Sequence, residues 1–278
     1  MKSYSYIIME GINHDWDIIK KEFKANLLIL IIFMALLSMY SVIIVAMYDP
    51  KLGESMNMLA KSMPEIFSAF GMSNPGTTLL DLITNYLYGF ILIAIPFVFT
   101  IIMCQRLVAR YIDKGSMAYL LATPRSRFSV IITQLIVLLG GLLILVVYVT
   151  GLILMSGQIM FDELIPLKEL LTLNLGLYAL HAFLATMCFL FACSFNETKF
   201  SIGIGAGLGL VFILIQMLSQ IGDKMDFLKY LTPLTLFDAT GLTGFDSMAL
   251  INIVILFVAA ILMAIIACRI FQKRDLPL

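Results

Sequence analysis

FSVIITQLIVLLGGLLILVVYVTGLILMSGQIMF, residues 128–161, contains no Asp, Glu, Lys or Arg in 34 positions. A helix rises about 1.5 Å per residue, so this run reaches about 50 Å as a helix. A bilayer's hydrocarbon core is roughly 30 Å thick and needs about 20 apolar residues to cross it. The run therefore reads as a membrane span that tilts, or that projects beyond the lipid on one side. It is continuous rather than alternating, which favours a helix over a barrel strand.

Five more charge-free runs flank it: Ala25–Tyr48, Leu82–Gln105, Leu170–Asn196, Phe200–Gly222 and Ser247–Cys268. The expected fold is an all-α integral membrane protein with six transmembrane helices, at about 27–47, 83–104, 129–157, 170–193, 201–221 and 249–268. Composition agrees: 61% of residues are hydrophobic and only 13% charged, against about 45–50% and 25% in soluble domains. The net charge is zero, so no bulk field points to nucleic acid. The first apolar run lies behind a charged stretch and lacks a small-residue cleavage site, so it reads as a span rather than a cleaved signal.

Lys and Arg divide unevenly between the two sides. Thirteen fall with the termini, the segment after the second run and the segment between the fourth and fifth; five fall on the other side. By the positive-inside rule both termini are cytoplasmic, in a multi-pass protein of the cell membrane.

Residues 1–26 read as an amphipathic elbow helix lying in the headgroup layer, with Ile8, Ile12, Trp16, Ile19, Phe23 and Leu27 on one face and Trp16 as interface anchor. Residues 27–271 form the six-helix domain, and 272–278 a cytoplasmic tail. On the outer side, Pro64 opens a short helix through Ile66, Phe67 and Phe70. The segment Asp223–Asp246 reads as short helices dipping back toward the membrane. Gly203, Gly205, Gly207 and Gly209 lack the spacing of a dinucleotide fingerprint. They form two small-xxx-small pairs suited to close helix contact.

No catalytic set is present: no H-E-x-x-H, no G-x-S-x-G and no phosphate-binding G-x-x-x-x-G-K-[ST]. The four cysteines, Cys104, Cys188, Cys193 and Cys268, lack metal-ligand spacing and read as free thiols. The chain is expected not to be an enzyme and to bind no metal or cofactor. The candidate path-lining or helix-linking polar residues are Gln134, Asn174, His181, Gln216, Gln220 and Asn252. His181 is the one candidate titrating group inside a span, read as a packing residue ahead of a proton relay.

The segment 105–127 is short and charged. Met117, Leu120 and Leu121 share one face of a short helix capped by Ser116 or Asp113 and ended by Thr123–Pro124. Ringed by Arg106, Arg110, Lys114, Arg125 and Arg127, this helix suits either docking on a soluble partner or lying on lipid.

The stretch ARYIDKGSMAYLLATPRSR, residues 109–127, resembles the signature of the type-two ABC exporter permeases. Gly115-Ser116, Leu120-Leu121 and Pro124-Arg125-Ser126-Arg127 carry the likeness, and the order of elbow, spans and outer helices extends it. The resemblance implies that 105–127 is a coupling loop whose short helix docks on an ATPase subunit. Arg110, Asp113, Lys114, Gly115, Ser116, Met117, Leu120, Leu121, Pro124 and Arg127 would make that contact. It further implies ATP and Mg held by separate cytoplasmic subunits, a second permease subunit, and export of an amphipathic or hydrophobic substrate (peptide, drug or lipid). Family members often carry two or three acids before the Gly; this chain has Asp113 alone. The rival expectations are an ion-coupled secondary transporter or channel, or a non-transporting sensor or assembly protein.

Overall fold

The computed structural model describes residues 2–48, 58–59, 61–70, 78–113, 126–161, 165–221 and 223–273. Among them six helices are long and apolar enough to cross a membrane: Ile18–Ala46, Leu79–Ile112, Arg127–Phe161, Leu167–Ser194, Thr198–Ser219 and Ser247–Lys273. No strand occurs among the described residues. In lipid the backbone N–H and C=O groups must be satisfied inside the protein, which helices do almost entirely within their own segment. The chain is an all-helical, multi-pass membrane protein.

The fourth span is the hub. Of its most apolar stretch 78% is buried, against 22% in both the fifth and the sixth. The sixth, fifth, second and third spans all pack on it, and the first packs mainly on the third. Outward-facing Leu, Ile and Val side chains on the first, fifth and sixth spans are left for lipid.

The separate elbow expected at 1–26 is not found. One continuous helix runs from Lys2 to Ala46, because no proline interrupts it and Gly11 alone does not break it. Its buried stripe is Glu22, Asn26, Leu30, Phe33, Leu37, Ser41 and Ile44. Trp16 is 57% exposed and Leu27 47%, while Ile19 and Phe23 are half-buried against the core, so the face assigned from sequence packs only in part. Lys20 Nζ lies 5.7 Å from the centre of the Trp16 ring.

The second span starts earlier and ends later than its charge-free run. Asp81, which ends the run in sequence, is part of a capping box. The Thr78 side chain accepts from the Asp81 N–H, and the Asp81 carboxylate accepts from the Thr78 N–H. This pairing starts the helix at Leu79. At the other end, a π-helical turn at Gln105–Ala109 leads into Arg110–Asp113. The first nine residues of the expected loop 105–127 thus continue the span. A second π-turn, Leu87–Ile91, precedes Pro96, which sits inside the helix.

The short helices expected on the other side are present. They are Pro64–Ala69, two 3₁₀ turns at Asp223–Leu231 and Pro233–Leu236, and Ala239–Thr243. Thr232 accepts from the Leu234 N–H and donates to the Phe212 carbonyl, tying the second 3₁₀ turn to the fifth span. Phe237 and Leu242 lie over Gly176 of the fourth span, where a Cβ would overlap Leu242.

Candidate functional site

Two polar clusters interrupt the apolar bundle, one at each end. The first is a cleft of about 290 Å³ between the second and fifth spans, roofed by the turns at 233–240. Thr84, Asn85 and Tyr88 come from the second span, Gln216 and Gln220 from the fifth, and Thr235, Asp238 and Thr240 from the roof. Ile93, Leu234 and Phe237 add apolar wall. Asn85 donates to the Asp81 carbonyl, one turn earlier. Thr235 Oγ1 lies 2.8 Å from Gln216 Oε1 and 2.8 Å from the Lys229 carbonyl. Tyr88, fully buried, donates to Asn174 Oδ1 at 2.8 Å, so the fourth span backs the cleft.

The second cluster is a knot at the end of the bundle where Lys and Arg concentrate. Arg106 donates to Asn26 Oδ1 at 2.8 Å and to the Ala25 carbonyl at 3.2 Å. Glu22, 7% exposed, accepts from Tyr111 at 3.5 Å and from Gln134 Nε2 at 3.4 Å. Thr198 donates to the Ala109 carbonyl at 3.3 Å. These bonds attach the last turns of the second span to the first and fifth spans, and Glu22 of the first to Gln134 of the third.

Between the clusters lies His181, wholly buried on the fourth span. Its Nε2 is 2.7 Å from the Leu92 carbonyl. A carbonyl only accepts, so Nε2 carries the proton. Pro96 has no N–H for the carbonyl four residues before it, and that carbonyl is Leu92. His181 therefore supplies the bond that the proline removes, fastening the fourth span to the proline turn of the second. His181→Ala should destabilise the protein by about 1–3 kcal/mol, the cost of a buried unpaired carbonyl, read as detergent melting. Adding Pro96→Ala, which returns an N–H to Leu92, should recover part of the loss; no recovery would refute the pairing.

The sequence candidates thus separate. Gln216 and Gln220 line the cleft, Asn174 supports it, and Gln134 belongs to the knot. His181 is a fastener, and Asn252 is half-buried on the sixth span and does not line the cleft. Of the coupling residues, Arg110 and Arg127 are exposed, and Asp113 ends the second helix. Lys114, Gly115, Ser116, Met117, Leu120, Leu121 and Pro124 lie outside the described residues, and so does the coupling helix. The four cysteines are buried and unbridged. No group of metal-binding side chains occurs among the described residues.

Glu22, Asn26, Tyr111, Thr84, Asn85 and Tyr88 were not singled out in the sequence. The signal was there in part: Glu22 and Asn26, and Asp81, Asn85 and Tyr88, recur at helical spacing on one face.

A family model described as Protein of unknown function (DUF2705) matches residues 43–277. No curated protein matches the chain. The match overturns the resemblance to the type-two ABC exporter permeases: the family that fits is an uncharacterised one, and no ABC-transporter family matches. The short Gly-Ser, Leu-Leu and Pro-x-Ser-Arg pieces of 115–127 do not carry a family assignment.

Proposed function

The chain belongs to the DUF2705 family, whose description assigns no activity, and we propose that it is the membrane-spanning permease subunit of a transport complex driven by a separate ATP-hydrolysing subunit. The termini and residues 114–125 face the cytoplasm, following the Lys and Arg distribution. Met117, Leu120 and Leu121, apolar residues of the segment between the second and third spans, are the proposed docking residues. The substrate is amphipathic or hydrophobic and moves outward, and a second permease subunit completes the path.

The observation that supports this reading is the knot at the root of the docking segment. Arg106, Ala109 and Tyr111 stand immediately before residue 114 and are bonded to the first and fifth spans, with Glu22 joining Gln134 of the third. A partner pressing on 114–125 would push the first and fifth spans through part-buried polar contacts, and the third by way of Glu22, not one free helix end. Rigid elements displaced together are the usual means of alternating access. His181, committed to Leu92, lends no support to a mid-membrane proton relay.

The test is co-purification in mild detergent. The wild-type chain should bring down an ATP-hydrolysing subunit, and Leu120→Asp with Leu121→Asp should lose it while staying in the membrane. Retention of that subunit by the double variant, or its absence from the wild type, would refute the docking role.

A further inference from the structure

The cleft is the strongest unassigned feature. Its wall is polar: Asn85, Gln216 and Thr235 line it with Thr84, which is 3% exposed and has its hydroxyl buried behind the surface. The amide of Gln220 adds donor and acceptor capacity. At about 30 Å³ per water, the volume holds roughly ten waters, so a polar head fits and a long tail does not.

Charge decides what kind of head. Among the described residues Asp238 is the one ionisable carboxylate that lines the cleft, and no Lys or Arg lines it. Asp238 Oδ1 accepts from the Gly241 N–H and from Thr240, each at 2.9 Å, capping the helix Ala239–Thr243. The cap engages that oxygen, and Oδ2 remains to receive a donor. Lys229, the nearby cation, holds its Nζ 5.3 Å from the Tyr230 ring. The surroundings share the sign: eleven of the eighteen Asp and Glu fall, by their place between spans, at the end that carries five of the eighteen Lys and Arg. An anion would meet repulsion here, and a cation attraction.

We infer that this cleft binds the protonated amine head of a cationic amphipath, with Asp238 as counter-ion, Gln216 and Gln220 as hydrogen-bonding walls, and the tail left in lipid. The inference rests on the transport reading for why such a molecule arrives. It stands apart from that reading in how it is tested, because binding needs no partner subunit.

The experiment uses the full chain in phosphatidylcholine nanodiscs with a diazirine-bearing dodecylamine probe, and maps photolabelling by mass spectrometry. Labelling should fall on 84–93, 216–220 and 234–240 and be competed by dodecylamine but not by dodecanoate. Asp238→Asn should lower it about tenfold, the worth of one charge-assisted hydrogen bond. Melting should hold, because Asn caps as well as Asp. Nanodiscs containing phosphatidylethanolamine separate the sources of the amine. Suppressed labelling identifies an aminolipid head, unchanged labelling a free amphipath, and both keep the amine site. Equal competition by dodecanoate, or wild-type labelling of Asp238→Asn, would overturn the inference without touching the co-purification result. Loss of the partner subunit would likewise leave the binding result standing.

Discussion

Gly209→Leu is expected to prevent the fifth span from docking, while Gly207→Leu, two residues away, folds as the wild type does. A Cβ built at Gly209 overlaps the ring of Phe97, which is 1% exposed and has no room to retreat. One turn earlier, a Cβ at Gly205 would come within 3.3 Å of the Cys188 Cα, a backbone atom of the hub. Gly203 and Gly207 have nothing within 4 Å of a built Cβ. Small residues let membrane helices approach closely, and bulk at the contact removes that approach. Overpacking costs about 1–3 kcal/mol even where side chains adjust. Here the ring is pinned, so Gly209→Leu should cost at least about 3 kcal/mol, a fall of roughly 6–12 °C in melting temperature. Fluorescence-detected size exclusion and detergent melting compare the two variants. Equal behaviour would mean that the Gly205/Gly209 face is not the packed one.

Arg106→Ala should separate ATP hydrolysis from transport. The guanidinium joins the end of the second span to Asn26 and Ala25 of the first, and its removal breaks both bonds and leaves Asn26 Oδ1 without that donor, while the Ala25 carbonyl keeps its helical N–H. Two hydrogen bonds to a charged group amount to about 3 kcal/mol, equivalent to roughly a hundredfold in rate or equilibrium. The partner would still dock on 116–121, so its ATP hydrolysis should stay within about twofold. Uphill flux should fall on the order of a hundredfold. Parallel loss of both activities would show that Arg106 serves docking rather than transmission.

The spans were legible because a charge-free run of 20 or more residues has few stable solutions other than a membrane helix. Their ends were less so, since a charge does not by itself end a helix. Asp81 caps the second span instead of terminating it, and Arg106 and Arg110 lie on its continuation. The π-turns at Leu87–Ile91 and Gln105–Ala109 have no sequence signal of the kind proline gives. The pairing of His181 with Leu92 was hidden for another reason. Pro96 announces a carbonyl without its partner, but only the packing of the fourth span on the second says what fills the gap. Glu22 was passed over because the leading segment read as a surface helix, whose charges face water. The four glycines gave two candidate faces in sequence, and only tertiary contact shows which one packs. Gln216 and Gln220 were picked out as polar residues in an apolar run. Their meeting with Thr84, Asn85 and Asp238 depends on the turns at 233–240 folding over the cleft. The likeness to a known permease family rested on the short pieces of 109–127 and on the order of helices, which unrelated membrane proteins can share, whereas the family match spans 43–277.

The most direct test of energy supply is uphill flux of dodecylamine in sealed proteoliposomes, with the co-purified ATP-hydrolysing subunit present or omitted. Accumulation should require this chain, that subunit and ATP together, and should stop with Leu120→Asp and Leu121→Asp. Uphill flux by this chain alone, driven by an imposed proton or sodium gradient, would contradict it.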